Sequence, residues 1–253
     1  MCLMAWRWHP DHSDALVLLS NRDEFFDRPT DVARQWPGTQ IWAGRDQRAG
    51  GTWLGVTATG RFAAITNYRT PDDVRESAAS RGQLVAQFLA SGQSSHAFMA
   101  CLADTFAAYN PFNLTVYDGA TLLGFEGRVN THRLVQLEPG FGGVSNADFN
   151  TPWFKQTRLQ TDLERLLASE ESSDDALLDL LLNDEVAPLH QLPQTGIPLD
   201  RELALSAPFV RMGYYGTRAS SLVRMGREGV EFTERGFDKQ AMTHQMRHAL
   251  VKA

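Results

Sequence analysis

The chain is expected to fold as an α+β protein: a four-layer α/β/β/α sandwich, with two antiparallel sheets between helical layers. Three observations predict this. The runs Cys2 to Trp8 and Ala15 to Ser20 are apolar on both faces rather than alternating, as in strands covered on each side. Helical patterns come in two separate pairs, giving the order strands, two helices, strands, two helices, strands. Short strands are joined by turn chemistry, with Asp118-Gly119 the strongest hairpin signal.

The first two runs flank His9 to Asp14, a turn-rich six, and read as an antiparallel hairpin. Phe25 to Gln40, with Pro29 and Pro37, reads as irregular. The glycine-rich stretch through Gly50-Gly51-Thr52-Trp53 suggests close approach of backbone to a neighbour. Trp53 to Thr57 and Arg61 to Asn67 form a second hairpin. Leu84, Val85, Phe88 and Leu89 mark one helix face, and Phe98, Cys101, Leu102 and Phe106 another. Strands are expected at 113–117, 121–125, 132–137 and 142–146. Helices are expected at 153–168 and at 174–183, the second capped by Ser173. A long proline-bearing loop covers 184–207. Strands follow at 209–215, 220–225 and 229–234, and a helical tail from Asp238. No composition shift marks a boundary, so residues 1–253 are expected to form one domain.

At 253 residues the chain can bury a large core. A net charge of −6 and the lack of any lysine/arginine block argue against a grip on nucleic acid. The two cysteines, Cys2 and Cys101, have no obvious partner, which suggests a reducing compartment and a cytoplasmic location. No apolar run is long enough to span a bilayer, and the first residues do not read as a secretory signal. His244 and His248 have helical metal-ligand spacing but no third ligand, so no metal is expected.

Cys2 is the first candidate for chemistry. Removal of Met1 would make it the amino terminus, with a thiol and an α-amine on one residue. Such an amine titrates at about 7.7–8.0, where a general base is useful. In the hairpin, residues just past Ser20 lie near the start of the first strand. Asn21, Arg22, Asp23 and Glu24 are therefore candidates to tune the thiol or hold the amine. Asn67, Asn146 and Arg218 each close or follow an expected strand. There an asparagine can donate to an oxyanion and an arginine can clamp a carboxylate.

Met1-Cys2 with Asn21-Arg22-Asp23-Glu24 resembles the signature of the NRDE family, also called the transport and Golgi organization 2 family. Gly50 to Gly55, Ile65 to Arg69, Val144 to Ala147, Thr151 to Lys155 and Gly216 to Arg218 resemble its further blocks. That family is similar in turn to amino-terminal-nucleophile hydrolases of the choloylglycine and penicillin V acylase type, which share the four-layer sandwich. The resemblance implies Cys2 as nucleophile with its own α-amine as base. Asn67 and Asn146 would be the oxyanion-donor and substrate-positioning asparagines, and Arg218 the late active-site arginine. The acylases carry an arginine and, three residues later, an aspartate; here that spacing gives Asn21 and Glu24, with Arg22 and Asp23 between. The expected activity is hydrolysis of a linear amide of a small amphipathic or acylated substrate. The alternative is a non-catalytic binding or trafficking role for haem or an acyl-CoA in the same pocket, in keeping with the family's links to secretory organisation, haem mobilisation and lipid metabolism. No cofactor is expected, haem entering only as a ligand under that alternative.

Overall fold

The computed structural model describes residues 2–70 and 75–251. Among them, six strands form one antiparallel sheet in the order β10 (Gly140–Val144), β1 (Cys2–Trp8), β2 (Asp14–Phe25), β11 (Tyr215–Gly226), β12 (Gly229–Phe237) and β13 (Met242–Val251). Seven form a second: β3 (Thr30–Gln35), β4 (Ile41–Asp46), β5 (Leu54–Thr57), β6 (Phe62–Asn67), β7 (Phe112–Tyr117), β8 (Leu122–Gly127) and β9 (His132–Gln136). Helices α1 (Gly82–Ala90) and α2 (Ser95–Ala103) cover the second sheet, and α3 (Phe154–Leu167) and α4 (Asp174–Leu180) cover the first. A short α5 (Leu199–Ala204) lies in the long loop before β11.

Strand alternation sorts the apolar residues into layers. Met4, Trp6, Leu16 and Leu18 meet Leu54, Val56 and Phe62 between the sheets. Leu3, Ala5, Val17 and Leu19 point the other way and pack on Leu159, Leu163, Leu177 and Leu178 of α3 and α4. Leu84, Val85, Phe88 and Leu89 seat α1 on Ile65, Leu114 and Val116. The first two runs are thus apolar on both faces because both faces are covered, and the expected four-layer sandwich is present. Ser173 caps α4, its side chain accepting from the Ala176 N–H.

Four local expectations are corrected. Residues 30–35 are a strand, not irregular chain, because β3 pairs with β4 along the edge of the second sheet. The tail is strand β13, not a helix: it pairs with β12 throughout, and His244, Met246, His248 and Leu250 are its less exposed, alternate positions. Residues 209–215 and 220–225 are not two strands, since a single β11 runs from Tyr215 to Gly226. Cys101 is exposed rather than part of its helix's apolar face, where Met99 is buried instead. Among the described residues no group of histidine, cysteine and carboxylate side chains could hold a metal ion. No helix there is long and apolar enough to cross a membrane.

Candidate active site

β2 does not stop at Ser20. It continues through Asn21, Arg22 and Asp23, all three buried, so the polar stretch is part of a central strand. Cys2 lies directly opposite Arg22, and Leu3 opposite Asn21. By alternation, Cys2 and Arg22 share the inter-sheet face with Met4 and Leu18, whereas Asn21 joins Leu3 and Leu19 on the helical face.

Cys2 and Arg22 line a pocket of about 400 Å³ at the open end of the sandwich. Asp23, Glu24, Arg28, Asp46, Asn67, Arg75, Glu76 and Arg81 contribute to its walls, as do Trp53 and Ile65. Among the described residues the lining therefore holds four guanidinium groups and four carboxylates, and no histidine. The Arg22 guanidinium stacks over the Trp53 ring at 4.3 Å and lies 3.7 Å from Asp46 and 3.9 Å from Glu24. Arg28 donates to Asp46 at 2.6 Å. Burial works against the Asp46 carboxylate, but hydrogen bonds from Arg28 and the Ala49 N–H outweigh it and hold the group below the usual carboxylate range. Burial pushes the Cys2 thiol above its ordinary value, and the Arg22 charge only partly offsets this.

The remaining expected residues divide. Asn67 lines the pocket. Asn146 is fully buried behind it, donating to the Asn67 carbonyl at 2.8 Å; its Oδ1 accepts from Ser145 Oγ (3.3 Å) and Lys155 Nζ (3.5 Å). The same Ser145 hydroxyl can instead give its one proton to the Cys2 carbonyl at 3.2 Å. Asp23 accepts from the Thr217 hydroxyl at 2.7 Å, and the Tyr215 hydroxyl donates to the Asp23 carbonyl at 2.9 Å. Asn21 is wholly engaged on the far face, donating to the carbonyls of Leu181 and Pro208 and accepting from Ser220. Arg218 sits at a register shift of β11, between Thr217 and Ala219. The bulge turns it out of the ladder, where it donates to the carbonyls of Phe25, Phe26, Arg28 and Phe237. It pins the turn after β2 and lines a neighbouring hollow that shares Arg22 and Trp53 with the Cys2 pocket. Removal of Met1 lies outside the described residues.

Sequence reasoning missed Arg81 and Lys155. Arg81 precedes α1, lines the pocket and donates to the Pro111 carbonyl at 3.1 Å, with burial lowering its pKa. No local pattern marks it. Lys155 is fully buried at the start of α3, and its signal was a lysine directly after Trp153-Phe154.

The pocket wall depends on two backbones that nearly touch. A Cβ added at Gly51 would lie 2.6 Å from the Gly82 carbonyl oxygen and 2.8 Å from the Gln83 nitrogen, and neither can rotate away. Gly51→Ala is expected to destabilise the chain by about 1–3 kcal/mol and to displace the wall. The checks are a urea melt and the alkylation rate of Cys2, and wild-type values for both would contradict the assignment.

Residues 1–239 match the family described as Transport and Golgi organisation 2. The chain belongs to this family. A Bos taurus Transport and Golgi organization protein 2 homolog is 35% identical over 98% of this chain and 99% of its own length. The Mus musculus homolog is 34% identical over 93% and 92%. Among solved structures, a Caenorhabditis elegans ortholog of N-acylethanolamine-hydrolyzing acid amidase aligns with a TM-score of 0.53 at 10% identity, covering 91% of this chain and 98% of that one. The C2A mutant of conjugated bile acid hydrolase from Clostridium perfringens aligns with a TM-score of 0.54 at 8% identity, covering 97% and 92%. At such identities the likeness concerns the fold alone, which is that of the amino-terminal-nucleophile hydrolases. This member of the Transport and Golgi organisation 2 family thus carries Asn21-Arg22-Asp23-Glu24 inside a hydrolase-like sandwich, with Arg22 facing Cys2.

Proposed function

We propose that the chain is an amino-terminal-nucleophile cysteine hydrolase that cleaves a linear amide of a small substrate, with Cys2 as nucleophile once Met1 is removed. The observation that supports it most is the placement of Cys2 in a polar pocket directly across the hairpin from Arg22. The two hydrolases named above share this fold, and one of them was solved as a C2A mutant. Burial keeps the thiol protonated at neutral pH, and among the described residues the lining offers no histidine to deprotonate it. The α-amine of Cys2 fills that role, since it titrates near neutrality.

In the proposed sequence the α-amine takes the thiol proton and Sγ attacks the amide carbon. The Asn67 amide donates to the oxyanion, and the ammonium returns its proton to the leaving amine as the C–N bond breaks. Water then attacks the thioester, releasing the acid and restoring the thiol. Arg22, Asp23 and Glu24 set the field around the thiol. Asn146 and Asn21 act on the site's framework, and Arg218 on the turn that follows Glu24.

Intact mass spectrometry of the mature chain, followed by incubation with N-acyl amines and N-acyl amino acids, tests the reading. The expected result is a chain beginning at Cys2 that forms an acyl adduct and releases amine. Cys2→Ala should lose both steps, and one alanine inserted before Cys2 should abolish turnover. A mature chain that keeps Met1 would rule the mechanism out. A binding or trafficking role for haem or an acyl-CoA predicts instead that Cys2→Ala retains ligand and that no turnover occurs. The balanced ionic lining favours a polar-headed amide over a broad apolar macrocycle.

A further inference from the structure

Lys155 is in an unexpected place. It is the second residue of α3, where the helix dipole disfavours a cation, and its side chain is about 1% exposed. Buried ammonium groups are costly without a paired anion and full hydrogen bonding. Here the hydrogen-bond partner is the Asn146 Oδ1 at 3.5 Å. Ser145 Oγ lies between that oxygen and the Cys2 carbonyl and gives its one proton to either, while the Asn146 Nδ2 holds the Asn67 carbonyl. One lysine on a helix is thus tied to both walls of the nucleophile site, β1 of the first sheet and β6 of the second. The charged or titratable groups that face it are Asp23 from β2, Arg69 after β6 and Cys2 itself.

We infer that Lys155 is a positioning residue for Cys2: it orients Asn146, through which the Cys2 carbonyl and the Asn67 peptide are fixed, and it places one positive charge behind the thiol. The inference rests on the reading of Cys2 as a reactive thiol and is independent of which amide is cleaved. The charge favours the thiolate and so opposes the effect of burial on the thiol. Asp23, already anchored by Thr217, faces both Cys2 and Lys155 and balances that charge within the wall.

The test is alkylation of Cys2 by iodoacetamide, in which the thiolate displaces iodide, followed from pH 6 to 10 in a Cys101→Ser background that removes the exposed thiol. Lys155→Met should slow alkylation near pH 7 about tenfold, corresponding to one unit of thiol pKa, and move the profile to higher pH. An unchanged profile in a folded Lys155→Met protein overturns the inference alone. A Cys2 that stays inert with Lys155 present overturns the inference and the proposed hydrolase together. A second measurement avoids any folding defect in Lys155→Met. Lysine occurs only at positions 155, 239 and 252, so ¹³C-lysine NMR can follow Lys155 directly. Its midpoint, about 8, should rise once iodoacetate has placed a carboxymethyl group on Cys2, because the added carboxylate faces the ammonium. A midpoint that does not move overturns the coupling.

Discussion

Asn21→Ala is expected to lower the unfolding free energy by about 3–5 kcal/mol, although Asn21 does not enter the Cys2 pocket. Its amide nitrogen donates to Leu181 O at 2.8 Å and Pro208 O at 2.9 Å, and its oxygen accepts from Ser220 Oγ at 2.6 Å. All four residues are buried. Alanine leaves two carbonyls and a hydroxyl without partners, each orphan costing about 1–3 kcal/mol. Asn21→Asp should be at least as damaging, because an ionised carboxylate donates nothing to the two carbonyls. Urea denaturation reads both. A loss under about 1 kcal/mol in both variants would mean that water replaces the side chain and that the asparagine is not the fastener described. The first letter of the Asn21-Arg22-Asp23-Glu24 stretch is thus assigned to joining β2, β11, the end of α4 and the loop before β11. The second lies directly opposite Cys2.

That division explains what the sequence could and could not show. The hairpin of Cys2 to Trp8 with Ala15 to Ser20 was legible because both runs are apolar and the turn is polar, and from it the approach of Asn21 to Glu24 toward Cys2 follows. That Arg22 is the one opposite Cys2 comes from the register. The continuation of β2 through Arg22 and Asp23 was not legible. Locally, four polar residues read as a turn, and they become strand only because Ser220, Thr217 and two distant carbonyls satisfy them. The tail failed for a similar reason. The spacing of His244 and His248 fits a helix, but the edge of β12 supplies a ladder that the local pattern does not encode. Arg218 was recognised as a strand-end arginine, yet the bulge that turns it toward the carbonyls of Phe25, Phe26 and Arg28 depends on the register between β2 and β11. Arg81 and Lys155 stand at helix starts remote in sequence from Cys2, and only tertiary packing brings them to it.

Lys155 also has a signature in stability. Burial is the main cause that lowers its pKa from the usual 10.5 to about 8, with Asp23 opposing. The sign follows from proton counts. Between pH 8 and 10.5 the unfolded chain keeps a proton on this lysine that the folded chain has released, so stability rises with pH across that window. Below about pH 8 both states are protonated, and the full cost of burying the ammonium is present. The rise amounts to about 3 kcal/mol. Cys2 would pull the other way, since its raised pKa makes the folded state hold a proton longer than the unfolded one. The measurement is therefore made in a Cys2→Ala background, as urea melts of the Lys155 and Lys155→Met proteins at pH 7.5, 9 and 10.5. The difference between the two should move by about 3 kcal/mol in favour of the lysine protein over that range. A flat difference would show that Lys155 titrates as if in water, which its burial and its place at the start of α3 argue against. A methionine would fill the slot without charge or desolvation cost, so a lysine there opposes packing energetics alone. The compensating gain lies in what Lys155 holds: Asn146, and through it the Cys2 and Asn67 carbonyls on either side of the thiol.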